Sequence, residues 1–172
     1  MEIPRPLRLI HGERAPLFDV VLVYAVAVVF TVLAFFYASA RMPALSAVEI
    51  IVLILVAFEA GAGLVALFTR GTSAYYADHA PLRWTLLVAQ LVQPGLLALL
   101  FGGRIVYWVF LYVYTMAAAV LAGLPTDPGR RKVIAAALVA VGNVALLPIG
   151  ASLPGLAWFA PVYMVKVILG LS

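Results

Sequence analysis

Long apolar runs separated by short polar breaks extend along the whole chain and predict six helices. The predicted elements are Phe18–Ser39, Ala47–Phe68, Trp84–Phe101, Ile105–Gly123, Val133–Gly150 and Leu156–Leu171. A helix needs about 20 mostly apolar residues to cross a bilayer, and most of these runs approach that length. The breaks fall at Arg41-Met42-Pro43, the Arg70–Arg83 loop, Gly102-Gly103-Arg104, Pro125–Arg131 and Ser152–Gly155. Pro81 and Pro154 stand just before helices, where a missing N–H costs little. Gly102-Gly103 permits a tight hairpin between the third and fourth elements. The sixth element is short, about 24 Å at 1.5 Å per residue, and Pro161 interrupts it.

The expected fold class is an all-α integral membrane protein, a compact bundle of six transmembrane helices. Five spans plus a broken or re-entrant last segment form the alternative. Residues 1–172 make one polytopic domain, with 1–16 as a cytoplasmic tail. The first run is about 20 residues, longer than the roughly 7–15 residues of a signal-peptide core, so it reads as a true span despite the cleavage-like Ala38-Ser39-Ala40.

Composition agrees with this class. Of 172 residues, 66% are hydrophobic and 10% charged, which leaves no room for a sizeable soluble domain beside the bundle. The basic residues orient the bundle. Arg5, Arg8, Arg14, Arg70, Arg83, Arg130, Arg131 and Lys132 fall on one face, and only Arg41 and Arg104 on the other. Basic excess in short loops marks the cytoplasmic side, so both termini are expected inside a multi-pass protein of the cell membrane. With scattered arginines and no basic run in a soluble segment, the +4 chain gives nucleic-acid binding little support.

Candidate chemistry begins with Glu59, near the middle of the second apolar run. A carboxylate at that depth is costly unless protonated, paired or facing water, which makes it a functional candidate. At 1.5 Å per residue it lies about 15 Å from the cytoplasmic end of its helix. Gln90 and Gln93 lie about 9 to 14 Å deep on the third element, and Asn143 about 15 Å deep on the fifth. Lys166 lies about 8 Å from the end of the sixth, where it either snorkels to the surface or reaches Glu59.

These residues are the ligand- or ion-binding candidates, with interhelical hydrogen bonding as the competing role for the amides. Gln90 and Gln93 share a face, and Pro94 frees a carbonyl one turn back for some partner to satisfy. Ala57 and Gly61 form a small-xxx-small pair that lets a neighbouring helix come close. The acid is therefore expected to face protein.

Two further groups are candidates. Tyr112 and Tyr114 could line an aromatic cavity in the fourth element, whose Tyr107 and Trp108 read as an interfacial belt. Tyr75, Tyr76, Asp78 and His79 cluster in the Arg70–Arg83 loop, either as a site or as an interfacial loop with tyrosine anchors.

What is missing narrows the function. There is no cysteine, and with it go disulfides and thiolate chemistry. No facing histidine pair suggests haem, no Gly-rich phosphate loop or HExxH is present, and neither a metal, a cofactor nor a catalytic residue is predicted. The leading expectation is a small transporter or membrane solute-binding subunit that takes a small solute, cation or proton. A non-catalytic accessory or scaffold subunit of a larger membrane complex is the second. An enzyme acting on a lipid or hydrophobic substrate is the third. Besides the bilayer, the expected partners are further copies of the chain, as a homo-oligomer, or a larger membrane complex.

Overall fold

The computed structural model describes residues 2–4, 7–42, 44–149 and 154–170. Arg5, Pro43, Gly150, Ser152 and Leu171, which figure in the predicted tail, breaks and span ends, lie outside the described residues. Among those described, the chain is helical, and its only extended pairing is an isolated bridge between Glu2 and Arg14.

A short helix, α1 (Arg8–His11), precedes the long α2 (Leu17–Ser39), which starts after the extended Pro16. The next, α3 (Ala47–Ala66), opens on a capping box. The Ser46 side chain accepts from the Glu49 N–H, and the Glu49 carboxylate accepts from the Ser46 N–H at 2.7 Å. The short connection folds α3 back along α2, and the expected small-residue contact forms there. A Cβ on Gly61 would sit 3.1 Å from the Ala27 Cα and 3.0 Å from the Phe30 Cβ.

The segment between the second and third runs departs from expectation. Arg70–Asp78 is a helix, α4, rather than a loop. Thr69 caps it, but its main support is tertiary: Tyr76 donates to the Leu9 carbonyl at 2.8 Å and Thr72 to the Ile10 carbonyl. Gly12 (φ 71°) and Gly71 let the two backbones meet directly. This docking draws on residues more than 60 positions apart, and a mixed polar segment gives no local sign of it.

The third run is one apolar span divided in two, α5 (Ala80–Ala89) and α6 (Val92–Phe101), broken at Gln90-Leu91. Gly102 (φ 71°) and Gly103 (φ 90°) make the predicted hairpin into α7 (Ile105–Gly123). Then α8 (Pro128–Leu146) starts at an Asp127 cap, earlier than predicted, and ends in a 3-10 turn.

Five helical stretches are long and apolar enough to cross a membrane: Leu17–Ser39, Ala47–Ala66, Trp84–Phe101, Ile105–Gly123 and Pro128–Ile149. Their outer faces expose large apolar side chains such as Phe18, Leu33, Leu55, Leu99 and Val133, as a lipid-facing surface requires.

The last apolar segment, Pro154–Leu169, is shorter. It holds a 3-10 turn, α9 (Phe159–Met164) and a π-helical turn, Val165–Leu169. Pro161 does not interrupt it, because it falls in the first turn of α9, where no N–H is needed. This segment is the centre of the bundle. Phe159, Tyr163, Met164, Val167 and Ile168 are buried within contacts from α3, α7 and α8.

Candidate functional site

Lys166 and Glu59 form an ion pair across the bundle. The Lys166 ammonium donates to both carboxylate oxygens, at 2.7 and 2.6 Å, and more weakly to the Gln93 Oε1 at 3.5 Å. Three structural features bring them together. The π turn around Lys166 widens the helix there, a distortion that often accompanies function. Gly63, one helical turn after Glu59, leaves the space for the lysine stem, because a Cβ at that position would lie 2.8 Å from the Lys166 Cε. Helix α3 is held in place through the α2 contact at Gly61.

The pair is lopsided. The lysine side chain is 2% exposed, whereas that of Glu59 is 49% exposed. What Glu59 faces is a cavity of about 200 Å³ between α2, α3 and α5, closed at one end by α1 and α4. Its walls are mostly apolar, with Tyr24, Phe58 and Leu86 at the sides and Tyr76 at the α4 end. Burial, helped by the neighbouring Tyr75, pushes the Tyr76 phenol up to about 12, so at neutral pH it keeps its proton and its bond to Leu9.

Gln90 also lines the cavity, and its two ends have different fates. Pro94 has no N–H to offer the Gln90 carbonyl, and the Tyr163 hydroxyl from α9 donates to that carbonyl instead, at 3.1 Å. The Gln90 side-chain Oε1 is buried and has no partner. An unsatisfied buried acceptor beside a cavity is unusual and calls for a ligand or water.

Four of the five residues expected at membrane depth therefore meet: Glu59, Gln90, Gln93 and Lys166. Asn143 does not join them. It is half-buried on α8 and donates to the Val139 carbonyl of its own helix at 2.9 Å. Equal depth placed it in the layer, but depth says nothing about which way a side chain turns around its helix.

The aromatic candidates do not build one cavity. The Tyr114 ring stacks on Phe110, its hydroxyl donates to the Leu138 carbonyl at 2.7 Å, and the bare backbone of Gly142 makes room for it. Tyr112 lines a separate hollow with Pro94 and Trp108. Tyr107 and Trp108 are buried rather than belt residues, and the Trp108 indole N–H satisfies the Gly102 carbonyl at 2.9 Å.

The Tyr75–His79 cluster also splits. Tyr76 turns into the main cavity, while Tyr75, Asp78 and His79 line an outer hollow with Glu13 and Arg14. His79 packs on the Tyr75 ring at 4.5 Å and bonds its carbonyl through Nδ1. Among the described residues no group of three or more His, Asp or Glu side chains could hold a metal ion.

Tyr24, Phe58, Gly63 and Tyr163 escape a reading by residue type, being ordinary apolar or small positions of a membrane helix. Gly63 and Tyr163 could have been flagged by spacing alone, four after Glu59 and three before Lys166. No family model, curated protein or solved structure matches this chain.

Proposed function

We propose that this chain is a six-span protein of the cell membrane, with both termini inside, that binds and moves a small solute or cation at the Glu59–Lys166 pair. A membrane solute-binding subunit with this site falls under the same reading. One observation carries it: a half-exposed carboxylate, paired to a buried lysine, faces a cavity whose neighbouring glutamine oxygen is unsatisfied. Interhelical glue alone favours close packing and satisfied amides, and supplies neither the cavity nor the orphan. The short last segment fits the six-span reading because other helices shield it from lipid over most of its surface.

The topology can be tested directly because the chain has no native cysteine. Single cysteines at Ser73 and Asp127 should react with an impermeant maleimide only from the cytoplasmic side, and one at Arg104 only from outside. A cysteine at Ser172 decides between six spans and five, since labelling from outside would require an odd number.

Transport is read in liposomes containing the full chain and an internal pH dye. Gradients from a panel of small cations, amines, organic acids and sugars are imposed in turn. At least one should drive a dye response in the wild type that Glu59→Gln abolishes. Identical traces for wild type, Glu59→Gln and empty liposomes would remove the acid from any such role.

A further inference from the structure

We infer that the cavity beside Glu59 is built for a compact lipophilic amine, a primary ammonium on a short apolar or aromatic body; this rests on the solute-binding reading above. The balance of donors and acceptors points to a donor head. The Lys166 ammonium lines the cavity, but its three N–H groups are already directed at Glu59 and Gln93. An anionic ligand therefore finds no uncommitted ammonium at this site.

Acceptors, by contrast, have capacity left. A carboxylate has about four lone-pair sites, Lys166 occupies two of them, and the half-exposed Glu59 lines the cavity. The Gln90 Oε1, on a residue 4% exposed, adds a second acceptor with no partner. An ammonium between them makes a charge-assisted bond to Glu59, gives Gln90 its missing donor and leaves the lysine where it is. Positive, negative and positive groups then alternate.

The walls and the volume define the rest of the ligand. Tyr24 and Phe58 stack with centroids 6.4 Å apart, and with Tyr76 they line the cavity with aromatic surface suited to an apolar or aromatic body. A cavity of about 150 Å³ holds benzene, so about 200 Å³ takes one ring with a short amine arm.

The experiment titrates the full chain, in lipid nanodiscs, with 2-phenylethylammonium and with 3-phenylpropionate, which keeps the ring and reverses the charge. Calorimetry should show the ammonium binding at least about tenfold more tightly. Glu59→Gln should weaken it by about tenfold or more. Gln90→Leu, which leaves the ion pair intact and guards against misfolding of the first variant, should weaken it about fivefold to tenfold.

Equal or tighter binding of the propionate, or ammonium affinity unchanged in Gln90→Leu, overturns the amine assignment. If the propionate binds and Glu59→Gln abolishes it, the cavity is still a solute site and only the charge preference is wrong. If neither probe binds, the amine assignment fails. If in addition no solute in the panel drives a Glu59-dependent response in liposomes, the solute-site reading fails with it.

Discussion

Replacing Glu59 with alanine is expected to cost the purified protein about 3 kcal/mol of unfolding free energy, more than any other single change at this site. The loss comes from the partner left behind. Lys166 is 2% exposed, so without its carboxylate a charged ammonium stays buried with only a long contact to Gln93. Lys166→Met should cost less, because the stranded Glu59 is half exposed and its charge is not buried. The double variant Glu59→Ala with Lys166→Met should recover most of the loss, since an uncharged stem of similar length fills the space beside Gly63. Reversible unfolding by SDS in mixed micelles measures all four corners of the cycle. Simple additivity would show that the contact is energetically idle.

A second large effect is expected at the break in the third span. Tyr163→Phe should cost about 2 kcal/mol by orphaning the Gln90 carbonyl in a buried setting, with almost no change in packing volume. In a Pro94→Ala background the same substitution should cost much less. Alanine restores the N–H that ordinarily bonds the carbonyl four residues earlier, so the hydroxyl is no longer its only donor. The difference between the two backgrounds, read by the same SDS titration, is the test. A Tyr163→Phe penalty that ignores Pro94 would mean that the hydroxyl stabilises something other than this carbonyl.

Much of the polar layer was legible because depth is simple arithmetic on a helix of known rise. Glu59, Gln90 and Gln93 were placed near one level by counting residues, Lys166 nearer a helix end, and the structure brings all four into one site. Asn143 passed the same count and lies elsewhere. The helices are apolar almost all round, so no polar stripe tells the buried face from the lipid-facing one, and rotation about each axis could not be read. The same lack of contrast turned Tyr107 and Trp108 into belt residues on paper, although both are buried.

By itself the sequence determined roughly where the long apolar helices lie. An apolar segment must satisfy its backbone hydrogen bonds internally, so run length, proline, glycine and caps decide each element locally. Ile105–Gly123 was located to the residue, and Ala47, the first residue of its apolar run, is where the structure starts that helix, on a capping box of Ser46 and Glu49. Only the tertiary structure decided which faces meet. It made α4 a helix by docking α1 against it, and it put the shortest apolar segment at the centre of the bundle. It also left Glu59 half exposed beside a cavity while burying Lys166 almost completely. Those outcomes depend on close contacts between residues distant in sequence, at Gly61, Gly63 and Gly12, where a missing side chain marks a meeting point without naming the partner.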